Sequence, residues 1–483
     1  MSAAMEGHVR GNWSVAAAVG VILVSATSAT GATGTPAVRA LVGGTLVDGT
    51  GAAPVKNAVV VIREGRIACA GTRAACPVPK GAEEVDASGA WITPGIVDAH
   101  VHLSQTGWAD SHPDSLDVRD RYQYEKVQAG LREHPERFFR SYLCSGVTAV
   151  FDVGGYPWTW SLRARTVTSP DAPHVAAVGP LLATHDYWLN LPAERQFISM
   201  TDVKTVREGV RYLAANGADG VGVWIVLQKE QRLEDVIGKL RAAREEARKF
   251  GLPLIIDATR LSEAKEALRA GAKVLVHSVI DLPVDEDFVA MAKTNCTIYC
   301  PTLNLFLGYA KMFDSVASGK PPTVDDPNGC VDPATRANVA ETASLGAGRT
   351  EHPRGEGMNT LLQKTQQVAT SNLRAVVAAG IPVAMGTDAG NSLTLHGPSV
   401  YAEMEAMQAA GMTPMQVLVA STRTGALALG SAGKDLGTVE GGKIADVLVV
   451  AADPTADIAA IRKVRLVIRA GVVHRVSDLA ARN

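Results

Sequence analysis

Aromatic side chains are scarce in this chain, only 5% of its 483 residues. Its core must therefore be built from Ala, Val, Leu and Ile, as in an Ala-rich α/β protein. Charge of one sign is missing too. The net charge is −2 with acidic and basic residues interspersed, so neither a basic block for nucleic acid nor an acidic tail is present. None of the six cysteines forms a Cys-x-x-Cys pair, which argues against a structural zinc site. No glycine-rich phosphate turn follows the first core strand, which argues against a doubly wound dinucleotide-binding sheet.

What is present begins with an address. Arg10 precedes an apolar run, Val15 to Val24, and small residues fill Ser25 to Gly34. That pattern reads as a signal peptide over 1–34, and the run is short for a membrane span. The protein is expected to be periplasmic or secreted, with no stable span after leader removal. The alternative is a membrane anchor made by an uncleaved leader. Cys69 and Cys76 are spaced for a small disulfide loop, which suits an oxidising compartment. Cys144, Cys296 and Cys300 look like core residues, and Cys330 could pair with one of them.

The motif around which the rest is arranged is Pro94-Gly95-Ile96-Val97-Asp98-Ala99-His100-Val101-His102. On an extended strand His100 and His102 share a face, and two imidazoles there could hold one divalent metal. Short strands precede it from Val38, and strands at Ala445–Val450 and Leu466–Val473 mirror them at the other end. One β module built from both termini is expected, over 35–91 and 431–477. Between them, over 92–430, apolar strands alternate with helices about eight times. This predicts an α/β fold, a (β/α)8 TIM barrel with a small β-sandwich domain. The last barrel strand is expected at Pro382–Thr387 and the last helix at Pro414–Leu429. An insertion is expected at about 308–358; its polar part, Asp314 to Arg354, reads as a flap over the site or as a simply mobile stretch.

In such a barrel the chemistry sits at the C-terminal ends of the strands. There the sequence puts His100 and His102, then Asp257, His277 and Asp388, an unusual convergence of polar residues after apolar strands. His185 and His396, near other strand ends, are candidate substrate-binding residues, while Trp108, Asp110, His112 and Tyr187 read as ordinary loop polarity.

With these motifs, and with Gly271-Ala272-Lys273-Val274-Leu275-Val276-His277, Gly386-Thr387-Asp388 and the tail Gly437 to Asp446, the chain resembles the amidohydrolase superfamily, in its imidazolonepropionase-like and prolidase-like branch. The resemblance covers residues 38 to 475. It implies a metal-dependent hydrolase of carbon–nitrogen bonds, with His100, His102, His277, Asp388 and Asp257 as candidate ligands. It also implies dipeptides (X-Pro included), N-acyl amino acids or cyclic amides as substrates. Two positions depart from the pattern. The lysine that bridges two metals in binuclear members falls on Gly222, with Lys229 too far along to replace it, and the strand-five histidine falls on Asp257. One metal per chain, zinc, is therefore expected rather than two. Asp388 would act as general base and acid, and His277 would polarise the carbonyl. Asp257 has a second reading, a salt bridge to Arg260. The competing function is a degenerate barrel that binds a ligand with little hydrolysis. Homo-oligomerisation is left open.

Overall fold

The computed structural model describes residues 38–184, 196–227, 231–346 and 356–481. The leader read at 1–34, together with His185, Tyr187 and Lys229, lies outside them.

Five strands open the described chain: β1 (Arg39–Leu46), β2 (Val55–Arg63), β3 (Arg66–Thr72), β4 (Glu83–Asp86) and β5 (Trp91–Pro94). Glu64-Gly65 turns β2 back on β3, and both residues take the positive φ that such a turn needs. One edge of β1 is shared, β4 pairing with its first half and β5 with its second.

The chain then enters the barrel with β6 (Ile96–Val101), β7 (Val147–Asp152), β8 (His174–Ala177) and β9 (Leu181–Ala183). A short edge strand, β10 (Phe197–Ser199), precedes β11 (Val221–Trp224), β12 (Leu254–Asp257), β13 (Val274–Val276) and β14 (Ile298–Cys300). All these pairings are parallel. Only Val178-Gly179-Pro180 separates β8 from β9, so one run of chain bonds to β7 on one side and to β11 on the other. The ring is completed by residues 382–389. They meet β14 through the Tyr299–Val383 bridge and β6 through the Val101–Ala389 bridge. The strand expected at Pro382–Thr387 is thus present only as isolated bridges. Pro382 has no N–H to donate, and the Met385 N–H goes to Ala420 O rather than to a neighbouring strand.

Three strands finish the chain: β15 (Val447–Val450), β16 (Val464–Arg469) and β17 (Val472–Arg475). β15 pairs antiparallel with β5, giving one sheet in the order β17-β16-β15-β5-β1-β2-β3. Its inner face is a cluster of Leu41, Val60, Ile92, Val447 and Ile468 among others.

Helices cover the outside of the ring: α1 (Tyr124–Glu133), α2 (Glu136–Cys144), α3 (Trp160–Val167), α4 (Val203–Ala215), α5 (Glu234–Lys249), α6 (Leu261–Arg269) and α7 (Glu286–Asn295). Then come α8 (Leu305–Ser318), α9 (Pro333–Glu341), α10 (Glu356–Ala378), α11 (Ser399–Ala409) and α12 (Pro414–Val419). α8 and α9 give the described part of this insertion helical structure. Met312, Val316, Val331 and Val339 pack on Trp108 and Leu395, so an apolar cluster of its own holds this insertion on the barrel mouth. The helix expected at Pro414–Leu429 is interrupted by a π turn over Ala420–Thr424. Cys69 bonds Cys76, and Cys144 bonds Cys330. Cys300 is buried, but Cys296, expected in the core, is exposed at the left-handed end of α7. Among the described residues no helix is long and apolar enough to cross a membrane.

Candidate metal centre

His100 and His102 come from β6 and the residue after it, and Asp388 from the segment that closes the ring. The Asp388 N–H donates to His100 O at 2.8 Å, which locks the two ends together. His102 Nε2 is 2.9 Å and His100 Nε2 3.1 Å from Asp388 Oδ1, and the two Nε2 atoms are 3.3 Å apart. His102 Nδ1 is 2.7 Å from Gly154 O. A carbonyl only accepts, so Nδ1 carries a hydrogen and Nε2 is the nitrogen that faces the centre. These three residues form a group whose ligand atoms all lie within 4.8 Å of one another.

Next to this group stands a second pair. His277 Nε2 is 3.1 Å from Asp257 Oδ2 and 3.8 Å from Asp388 Oδ2. Its Nδ1 is 2.6 Å from Thr302 Oγ1. Asp257 therefore pairs with His277, and the alternative of a salt bridge to Arg260 is not what the structure shows. His277 and Asp388 both have left-handed backbones, at φ 67° and 62°. Such φ values are uncommon away from glycine and cluster at functional sites.

Burial opposes charge throughout the site, and pairing decides where charge remains. His100 and His102 hold the Asp388 carboxyl well below the usual carboxylate range despite its burial. Burial lowers the His277 imidazole, but Asp257 and then Asp388 outweigh it and push it up to about 9. Asp98 lies beneath, accepting from the Thr387 N–H at 3.0 Å and from the Thr387 hydroxyl at 2.6 Å; burial raises it to about 7.

A cavity of about 430 Å³ opens over these groups, with His102, Asp257, His277 and Asp388 in its wall. Sequence reasoning missed several of its residues. Asn391 Nδ2 donates to Asp388 Oδ1 at 2.7 Å, and the Tyr309 hydroxyl donates to Asn391 Oδ1 at 2.7 Å. Asn391 sits three residues after Asp388 and was within reach of a local reading; Tyr309, on α8, carried no signal. His396, expected to bind substrate, is buried away from the cavity. Its Nδ1 is 2.7 Å from the Tyr142 hydroxyl, its Nε2 2.8 Å from Gln105 O, and Phe138 lies on its ring at 4.2 Å. Both nitrogens are used in the protein interior and the residue does not line the cavity. Of the loop residues read as ordinary polarity, His112 does line it, with Nε2 3.1 Å from Gly390 O.

The Gly222 position is filled from outside its own strand. A Cβ there would lie 2.5 Å from Leu181 Cδ2, and one at Gly154 would lie 2.6 Å from Leu181 Cδ1. Leu181 thus rests on two glycine backbones, in space that a side chain on either would need.

The model of the amidohydrolase family matches residues 91–473. An imidazolonepropionase from Ralstonia nicotianae (strain ATCC BAA-1114 / GMI1000) is 43% identical over 61 residues, 12% of this chain and 15% of that protein. The chain therefore spans well under two thirds of that curated relative. An imidazolonepropionase from Acidiphilium cryptum (strain JF-5) is 26% identical over 292 residues, 56% of this chain and 71% of that protein. A crystal structure of a Xaa-Pro dipeptidase with bound methionine in its active site shares the fold, with a TM-score of 0.64 at 20% identity, covering 91% of this chain and 100% of that one. With a family model matching most of its length over a barrel whose strand ends carry His100, His102, His277 and Asp388, this chain belongs to the amidohydrolase family.

Proposed function

We propose that this protein is a metal-dependent hydrolase of amide and related carbon–nitrogen bonds. Its substrates would be small molecules: dipeptides (X-Pro included), N-acyl amino acids or cyclic amides. The observation that carries the reading is the convergence of His100 Nε2, His102 Nε2 and Asp388 Oδ1 at 2.9–3.3 Å, with His102 and Asp388 in the cavity wall.

These donors fit a metal. His102 Nε2, a carboxylate oxygen and a second imidazole nitrogen face one another at close range, an arrangement that calls for a cation between them. Two imidazoles and a carboxylate are a common catalytic zinc set. A divalent cation held by His100, His102 and Asp388 would supply Lewis acidity and a water that ionises near neutral pH. Asp388 would accept the proton of the attacking water and return it to the leaving nitrogen. His277, oriented by Thr302 and Asp257, would stabilise negative charge on the carbonyl oxygen.

One metal per chain is favoured. Gly222 offers no ligand, and Leu181 fills the space a bridging side chain would cross. The same feature supports the second reading, a degenerate barrel that binds without hydrolysing. The residue-1–34 leader and the two disulfides support a periplasmic or secreted address.

Elemental mass spectrometry on protein purified without chelator tests the reading, run beside a panel of dipeptides and N-acyl amino acids. About one zinc per chain with turnover supports it. About two metals would overturn the single-metal assignment. Less than roughly a tenth, persisting after incubation with zinc or manganese, would move the protein to the degenerate class.

A further inference from the structure

The cavity wall contains one cation whose side chain enters no hydrogen bond or ion pair among the described residues, Arg260; its charge is felt by the nearby Glu263. Each of three carboxylates there has a histidine partner: Asp388 with His100 and His102, Asp257 with His277 at 3.1 Å, and Asp114 with His112 at 3.7 Å. Only the Arg260 backbone is used: the N–H donates to Glu263 Oε2 at 3.3 Å across the start of α6, and the carbonyl accepts from the Ala264 N–H at 2.8 Å. Glu263 also lines the cavity, but that bond turns its carboxyl towards the helix start, and burial raises its pKa.

A guanidinium beside such a cavity whose N–H groups bond to no other described residue is suited to a planar anion, which it can hold by two parallel hydrogen bonds. The same cavity carries a second feature. The rings of Phe197 and Trp224 stack at 5.3 Å with 25° between their planes, and both line the cavity. A volume of about 430 Å³ has room for a molecule the size of a dipeptide.

We propose that Arg260 binds a carboxylate on the substrate, and that Phe197 and Trp224 take an apolar or aromatic group of the same molecule. This rests on the hydrolase reading and narrows it to N-acyl amino acids and dipeptides with a free carboxylate and an apolar side chain. Cyclic amides without an anionic group would be poor substrates.

The test uses zinc-loaded protein and two probes that share one scissile amide, N-acetyl-L-phenylalanine and N-acetyl-2-phenylethylamine, which lacks the carboxylate. Dissociation constants are measured by calorimetry and hydrolysis is followed in parallel, for the wild type, Arg260→Gln and Arg260→Lys. The wild type is expected to bind the acid about tenfold or more tightly than the neutral probe. Arg260→Gln should bring that ratio below about twofold, with Arg260→Lys in between. Equal binding of both probes by the wild type overturns the assignment. So does a ratio that survives Arg260→Gln, which would put the carboxylate on the metal centre instead. Preference without turnover would sink the hydrolase reading and leave Arg260 in place; turnover without preference would do the reverse.

Discussion

At the scale of single residues, two positions decide what the site can be. Asp388 is both the anion that holds the histidine pair and the proposed proton carrier, so Asp388→Asn should lose twice. Metal content should fall, and kcat/KM should drop by about 10³ or more, readable by elemental analysis and steady-state kinetics on one preparation. Gly222 is the other. Gly222→Ala puts a methyl 2.5 Å from Leu181 Cδ2 and 3.0 Å from Val153 O, and the carbonyl belongs to the barrel wall and cannot step aside. A cost of about 1–3 kcal/mol in denaturant unfolding is expected. A variant as stable as the wild type would mean that Leu181 is loosely held. His100, His102, His277 and Asp388 were legible in the sequence because each lies at the end of an apolar run, and a barrel brings such ends together. Their partners were not. Arg260 is three residues from Asp257, which suggested a salt bridge; Arg260 instead caps the start of α6, and His277, just after the next strand, takes Asp257. His396 was misread for a related reason. Proximity to a strand end says nothing about which way a ring turns, and this one turns into Tyr142 and Phe138.

At the scale of elements, α4 and α5 are joined by a charge cluster that is open to test. Glu246 on α5 is buried, with Lys249 Nζ at 2.7 Å, Arg211 Nε at 2.8 Å and an Arg207 nitrogen at 3.2 Å. These bonds, Lys249 first, lower its pKa from 4.5 to about 2. The folded value is the depressed one, so the stabilisation is whole above about 4.5 and drains away as pH falls towards and through about 2. The gap in melting temperature between the wild type and Glu246→Gln should therefore be widest near neutrality and should close between pH 5 and 2, roughly. A gap that stays constant would show that Glu246 acts by packing alone. The elements themselves were largely legible, since apolar runs bounded by turns mark β11 to β14 to within a few residues. The closing segment at 382–389 was not. Its apolar content reads as a strand, while Pro382 and the left-handed Asp388 break the ladder.

At the scale of the whole molecule, the Cys144–Cys330 bond ties the end of α2 to the turn before α9 across 186 residues of sequence. Closing so long a loop limits the unfolded chain far more than the Cys69–Cys76 loop, whose separation is 7. Replacing both Cys144 and Cys330 by alanine should cost about 5 kcal/mol in urea unfolding under oxidising conditions, against roughly half that for Cys69 and Cys76. Equal losses would contradict the entropic account. Composition could suggest disulfides but not this pairing, because the partners meet only once α9 has docked over the barrel mouth.

The sheet made from both termini also sets a timetable. β5 pairs with β15, so the neighbour of Trp91–Pro94 leaves the ribosome roughly 350 residues later. At about 5–20 residues per second, an apolar strand edge waits on the order of 20 to 70 s for its partner during synthesis. Through that interval the nascent chain carries an open, sticky edge next to a barrel still being made. Whatever shields β5 then, a chaperone or an export factor, decides how much of the protein matures.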